Sequence, residues 1–124
     1  MRETIHTSAA PAPVAAYAQG SRIGPVLAVA GQVGIDPEVG ALVDGVAAQT
    51  EQALRNVRSV LQAAGCDLAH VVRMDCYLTS QDHLEPFNEV YARWFPGEAP
   101  ARTTVIVGLA PGLEVEIVAL AVTG

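Results

Sequence analysis

The sequence contains no lysine, so all seven of its basic Lys or Arg side chains are arginines. A lysine Schiff base, a pyridoxal phosphate enzyme and a P-loop that grips phosphate all need the lysine ammonium group. The absence of lysine therefore excludes these three classes of site.

Positive charge is also scarce, because seven arginines stand against thirteen acidic residues and give a formal net charge of -6. A phosphate backbone or an anionic membrane surface attracts proteins of the opposite sign. Nucleic acid is therefore not an expected partner.

Only two cysteines occur, Cys66 and Cys76, and they form no CxxC pattern. Their number and spacing give no sign of a disulfide scaffold, and a reduced, cytoplasmic location fits best. The start of the sequence has no apolar leader, and no run of eighteen apolar residues occurs, so the sequence predicts neither a signal peptide nor a membrane span.

The chain has 124 residues, of which 51% are hydrophobic and 16% are charged. This length predicts one domain over residues 1–124, with a single core. The hydrophobic fraction lies slightly above ordinary globular usage, and we expect an oligomer interface to cover part of the surplus.

Two segments have helical periodicity. Between about residues 47 and 64, apolar residues recur on one face at Leu54, Val57 and Leu61, and Gly65 is a natural C-terminal stop. A second helix is predicted from about residue 82 to residue 94, with Pro86 tolerated near its first turn.

The remaining segments are typical of strands. The first third predicts short strands separated by turns, and "AYAQG" is compatible with an extended segment. Strict alternation in "HVVRMDCYLT" places Val72, Met74, Cys76 and Leu78 on one face. The order of strands, helix, strand, helix and two strands predicts an α/β or α+β layer with two helices on one mixed sheet.

Metal and cysteine chemistry have weak support. His6, His70 and His83 are far apart and lack the spacing of zinc ligands, so no metal site is predicted. Cys76 alternates with apolar residues and is interpreted as a small buried hydrophobe.

The candidates for chemistry are Arg102 and two acids of the last strand. Glu114 and Glu116 share one face of that strand. Spacing favours a solvated strand end for Glu114. Burial of Glu116, which lies deeper in the apolar run, would be costly without a partner.

Six segments resemble one known family in order and almost end to end. They read "AYAQG", "AGQVGIDPEVG", "QTEQALRNVRSVLQAAG", "VVRMDCYLTSQDHLEPFNEVYARWF", "PARTTV" and "VEIVALAV". The chain resembles the reactive intermediate deaminase family, also called the RidA or YjgF family. This resemblance implies an α+β, chorismate-mutase-like fold in which a mixed six-stranded sheet is backed by two helices. It also implies a homotrimeric barrel with sites in the clefts between subunits and no cofactor.

The resemblance assigns roles residue by residue. Arg102 matches the arginine that grips the substrate carboxylate, and Glu116 matches the glutamate that positions the attacking water. Ala30 departs from the family, where many deaminases have serine. The substrate-binding set implied by the resemblance is Tyr17, Ala30, Gly31, Asn88, Thr103 and Thr104.

The implied reaction is hydrolysis of a 2-imino acid, such as that from 2-aminoacrylate, to a 2-keto acid and ammonia. Two other functions stay open. One is a non-catalytic, regulatory or chaperone-like protein that binds a carboxylate metabolite. The other is an endoribonuclease, which the net charge disfavours.

Two predictions differ for the last two strands. Local reading of "RTTVIV" and "EVEIVALAV" joined by "GLAPGL" indicates a hairpin. The resemblance instead places the last strand beside the strand that ends at Ala30. It separates the last strand from the Arg102 strand by one further strand.

Overall fold

The computed structural model describes residues 1–123 as a sheet with two α-helices. Eight strands and two α-helices follow one another along these residues, with short 3-10 helices at Leu68–His70 and Gln81–His83. The elements are β1 Glu3–Ile5, β2 Gly20–Ile23, β3 Val26–Val33, β4 Ile35–Asp36, β5 Ala41–Leu42, α1 Val46–Ala63, β6 Val71–Leu78, α2 Leu84–Trp94, β7 Ala101–Ile106 and β8 Val115–Val122.

Helix α1 packs across β3 and β8. Its predicted apolar face is confirmed, since Leu54, Val57 and Leu61 are fully buried. The amide of buried Asn56 donates to the carbonyls of Val33 and Ile35, both at 2.9 Å. These bonds fix the helix against the end of β3.

Helix α2 buries Phe87, Val90 and Tyr91. Its last turn is tied to α1, because the indole Nε1 of Trp94 donates to Glu51 Oε1 at 2.8 Å. The helix begins at Leu84, two residues later than predicted, because the first turn is a 3-10 turn capped by the Ser80 hydroxyl.

The main sheet has the order β1-β2-β3-β8-β6-β7 and is antiparallel except for the parallel pair of β6 and β7. β8 therefore lies between β3 and β6, as the resemblance predicted. The local hairpin prediction is wrong, because β6 separates β7 from β8. Two-residue strands β4 and β5 form a separate small ribbon.

Alternation along β8 agrees with the predicted parity. Val115, Ile117 and Ala119 are buried, whereas the residues between them, Glu116 and Val118, are only half-buried. Helix α1 thus covers one face of the sheet. The opposite face, which we call the open face, carries Glu116.

The prediction that Val72 shares a face of β6 with Met74, Cys76 and Leu78 is wrong. Val71 pairs with Ala121 and Arg73 with Leu120, so Val72 has no counterpart and forms a bulge. The bulge reverses the alternation, and Val72 is 48% exposed.

The segment "AYAQG", for which the sequence allowed an extended conformation, begins in a turn and joins a strand only at its last residue. The Tyr17 N–H donates to the Ala15 carbonyl at 2.9 Å in a three-residue turn, and β2 begins only at Gly20.

No helix within residues 1–123 is long and apolar enough to cross a membrane.

Candidate active site

The Glu116 carboxylate lies against a bulge in β3. Val29 pairs with Ala119 and Gln32 with Ile117, so two residues, Ala30 and Gly31, stand opposite one residue of β8. A Cβ on Gly31 would lie 2.8 Å from the Glu116 carboxyl carbon. The absent side chain therefore makes room for the carboxylate.

Tyr17 and Ala30 line one cleft of about 740 Å³. Tyr17 is half exposed, and its hydroxyl accepts a bond from the Val14 N–H at 3.5 Å. The Gln19 carbonyl accepts the Ala30 N–H at 2.9 Å, which links the segment after Tyr17 to the bulge.

Gln19 also anchors the chain that precedes this cleft. Its side chain is 2% exposed. Its amide oxygen accepts the Thr7 N–H at 2.8 Å, and its amide nitrogen lies within 3.2 Å of three carbonyls, those of Thr7, Ala10 and Pro11. The composition and motifs of the sequence did not single out this residue.

Arg102 lies in β7 and pairs with Met74 of β6. Its Nη2 donates to Asn88 Oδ1 at 2.8 Å, and its guanidinium carbon lies 4.8 Å from the Tyr91 ring centroid and 5.3 Å from that of Phe87. Stacking on aromatic faces holds a guanidinium by cation–π attraction. The sequence pattern gave no signal for this stack.

Thr103 and Thr104 follow Arg102 in β7. Thr103 pairs with Asp75 and is exposed, whereas Thr104 pairs with Cys76 and is half-buried. Alternation therefore directs the two hydroxyls to opposite faces of the sheet.

The Cys76 thiol and the Tyr91 hydroxyl, both near Arg102, stay protonated over the ordinary pH range. Burial raises the pKa of the Cys76 thiol to about 12, although the charge of Arg102 opposes this shift. Burial likewise raises the pKa of Tyr91 to about 12. Cys76 is 1% exposed, so its predicted role as a buried hydrophobe is confirmed.

The prediction that Glu114 solvates an exposed strand end is wrong. Its N–H donates to Gln49 Oε1 at 2.8 Å, and its Oε2 is buried with no hydrogen-bond partner in the described part of the chain. Gln49 also donates to the Gly112 carbonyl at 3.1 Å, which holds the preceding loop over the start of β8.

The predicted site residues fall into two groups. Tyr17, Ala30, Gly31 and Glu116 form one, which we call the glutamate half-site. Asn88, Arg102 and Thr104 form the arginine half-site, whereas Thr103 alternates onto the open face, so the structure does not bring it together with Arg102.

The two half-sites do not meet within one chain. Arg102 is in register with Met74, which is buried, whereas Glu116 pairs with Tyr77 on the open face. Met74 in turn pairs with Ala119, three residues along β8 from Glu116. Two inter-strand steps and three residues of rise place the Cα atoms of Arg102 and Glu116 about 14 Å apart.

No group of three or more His, Cys, Asp or Glu side chains among residues 1–123 is arranged to hold a metal ion. The reactive groups of the two half-sites are the guanidinium of Arg102 and the carboxylate of Glu116. They can orient an anion and accept a proton from water.

The sheet and its two separate half-sites define an α+β protein whose candidate site is divided between two surfaces. Sequence comparison identifies the family. The chain belongs to the Endoribonuclease L-PSP family, also called the RidA or YjgF family, whose pattern matches residues 7–123.

The relatives match along nearly the whole chain. The 2-iminobutanoate/2-iminopropanoate deaminase of Rattus norvegicus is 41% identical over 126 residues, covering 100% of this chain and 92% of that protein. The structure of RidA from an Antarctic Psychrobacter has a TM-score of 0.94 at 36% identity, covering 98% of this chain and 99% of that one. E. coli TdcF with bound serine has a TM-score of 0.94 at 29% identity, with the same coverage.

Proposed function

We propose that this protein hydrolyses 2-imino acids to 2-keto acids and ammonia. The observation that carries the proposal is the chain-long similarity to the rat deaminase, at 41% identity. The arrangement of Arg102 and Glu116 supports it, because each supplies one of the two functions that the reaction needs.

Arg102 binds the substrate carboxylate in this proposal. A guanidinium fork meets a carboxylate through two parallel hydrogen bonds, which fixes both position and orientation. Asn88 holds Nη2 at 2.8 Å, and the rings of Phe87 and Tyr91 support the guanidinium plane. The clamp is thus largely preorganised before substrate arrives.

Glu116 positions and deprotonates the attacking water. Hydroxide adds to the imine carbon, the C=N double bond opens, and the proton taken by Glu116 passes to nitrogen. Glu116, again a carboxylate, then accepts the hydroxyl proton of the carbinolamine, the C=O double bond forms as the C–N bond breaks, and the released ammonia takes this proton and leaves as ammonium. A protonated imine is already electrophilic, so one placed base is sufficient and no cofactor is needed.

We further propose that the site forms between subunits of a homotrimer. The Cα atoms of Arg102 and Glu116 lie about 14 Å apart and their side chains are on opposite faces of the sheet, so Arg102 of one subunit would meet Glu116 of its neighbour. The open face carries half-buried Val118 and Leu120, and Val105 is 38% exposed. An uncovered apolar surface of this kind favours assembly.

The family's description as an endoribonuclease suggests a second activity. A net charge of -6 with seven arginines does not favour binding of a phosphate backbone. We therefore do not propose RNA cleavage for this chain.

The proposal is tested by generating imines from amino acids with an amino acid oxidase and measuring release of keto acid or ammonia. We expect the protein to accelerate release without added metal. Glu116→Gln should lower kcat by about 100-fold or more, because a general base is worth that much. Arg102→Lys should raise KM, because the charge remains but the fork is lost.

Two results would contradict the proposal. No acceleration by the wild-type protein would exclude the deaminase. Tight binding of 2-keto acids without turnover would favour the metabolite-binding alternative.

A further inference from the structure

A second pocket adjoins the arginine half-site. It has a volume of about 400 Å³ and lies between the C-terminal half of α2, the loop that follows it and the start of β7. Arg102 and Asn88 form part of its lining. The pocket is therefore continuous with the proposed binding position of the substrate carboxylate.

The side chains of the rest of the lining are apolar except for the Tyr91 hydroxyl, which is buried and has no hydrogen-bond partner in the described part of the chain. Tyr91 and Phe95 form an aromatic wall, with ring centroids 4.8 Å apart and planes inclined by 40°. The Tyr91 ring also lies 4.8 Å beneath the Arg102 guanidinium. One side chain thus supports both the clamp and the wall, so the distance from the charged end to the apolar surface is fixed.

Small side chains keep this pocket open. Ala92 of α2 and Ala99 of the loop lie on its lining, together with Pro100. A larger residue at either alanine would occupy the space. The volume of the pocket falls within the range of natural small-ligand pockets. The methyl group of 2-iminopropanoate would leave most of this pocket empty.

We propose that this pocket holds the side chain of the imino acid and that the preferred substrates are 2-imino acids with branched aliphatic or aromatic side chains. The inference rests on the proposed function, because Arg102 must bind the carboxylate. The pocket has the polarity that such a molecule requires, with a cation at one end and apolar walls beyond it. Each additional methylene in an apolar pocket changes selectivity by about 10-fold.

The first test compares kcat/KM for the imines of alanine, leucine and phenylalanine, each generated in situ. We expect the wild-type protein to prefer the leucine and phenylalanine imines by at least about 10-fold. Ala92→Leu should fill the pocket and lower this preference by about 10-fold or more. Ala48→Leu, on an exposed position of α1, is the matched control and should leave all three values unchanged.

A second measurement separates this inference from the proposed function. Pyruvate and phenylpyruvate are stable keto acids, and calorimetric titration gives their affinities without turnover. We expect tighter binding of phenylpyruvate by the wild-type protein, with the difference lost in Ala92→Leu. Unfolded variants are recognised by circular dichroism, and Ala99→Leu then replaces Ala92→Leu.

The outcomes are distinct. Hydrolysis of all three imines with no preference for the larger ones, or a preference that Ala92→Leu and Ala99→Leu leave unchanged, would refute the pocket assignment. Absence of hydrolysis together with selective binding of phenylpyruvate would refute the proposed function and retain the pocket.

Discussion

At the scale of single residues, the absence of a side chain at Gly31 determines where Glu116 can lie. A methyl group at this position would come within 2.8 Å of the carboxyl carbon and 3.1 Å of Cγ. Both atoms belong to a side chain that can rotate, so the clash can be relieved without moving the backbone. The expected cost is therefore in catalysis more than in stability.

Gly31→Ala is expected to lower kcat by about 100-fold, because a displacement of about 1 Å of a catalytic group has an effect of this size. The free energy of unfolding should change by less than about 1 kcal/mol. The imine assay and denaturant unfolding measure the two quantities. A rise in KM with unchanged kcat would instead indicate that the methyl group blocks the ligand.

Gly108→Ala provides the matched control. A Cβ at Gly108 meets no atom within 4 Å, so both activity and stability should be retained. If Gly31→Ala behaves like this control, Glu116 is not the base or its carboxylate does not need its present position.

At the scale of secondary-structure elements, the sequence predicted the helices and strands whose apolar residues recur with one regular spacing. Helix α1 and strand β8 have long, regular apolar patterns, and the buried face of α1 and the alternation along β8 were predicted correctly. The two bulges were not predicted. Each inserts one extra residue into a strand, at Val72 in β6 and within Ala30–Gly31 in β3, and a single inserted residue leaves no recognisable pattern in the local sequence. They depend on pairing with β8, which is distant in sequence.

The position of residues 7–11, near the candidate site, likewise could not be predicted from periodicity. This segment contains no strand or helix, and the Gln19 side chain holds it through hydrogen bonds to Thr7, Ala10 and Pro11. The Gln19 carbonyl also binds the Ala30 N–H. Gln19 therefore links the chain before Tyr17, through its side-chain amide, to the wall of the glutamate half-site, through its backbone carbonyl.

Gln19→Leu is expected to lower the free energy of unfolding by about 2–4 kcal/mol, because buried backbone groups lose their partners. Hydrogen exchange should increase in residues 7–17 more than in α1. Activity per folded molecule should also fall, because Tyr17 lies at the end of the released segment.

Gln62→Leu is the control, since Gln62 is exposed and makes one side-chain bond, to Asp67 at 3.3 Å. It should change stability by less than about 0.5 kcal/mol. Increased exchange across the whole protein in Gln19→Leu would contradict a local anchoring role.

At the scale of the whole molecule, strand order decides how the site can be built. Local reading would join β7 and β8 in a hairpin and place Arg102 beside Glu116 in one chain. The observed order places β6 between them and directs the two side chains to opposite faces. The resemblance predicted this order, whereas periodicity could not, because a crossover leaves no periodic signal.

A divided site predicts complementation between two inactive variants. Arg102→Ala and Glu116→Ala should each lose most activity alone. When the two are unfolded and reassembled together in equal amounts, a site is intact if its arginine comes from a Glu116→Ala subunit and its glutamate from an Arg102→Ala subunit. Random assembly of a cyclic trimer gives about one intact site in four.

The measurement is kcat per subunit after reassembly, with each variant refolded alone as the control. Wild-type protein taken through the same procedure gives the reference, and native mass spectrometry of subunits with different mass tags verifies mixing. Recovery near a quarter of the reference supports a site shared between subunits. If verified mixed trimers show no recovery, Arg102 and Glu116 do not act across an interface, because a site contained in one chain cannot be repaired by exchange of subunits.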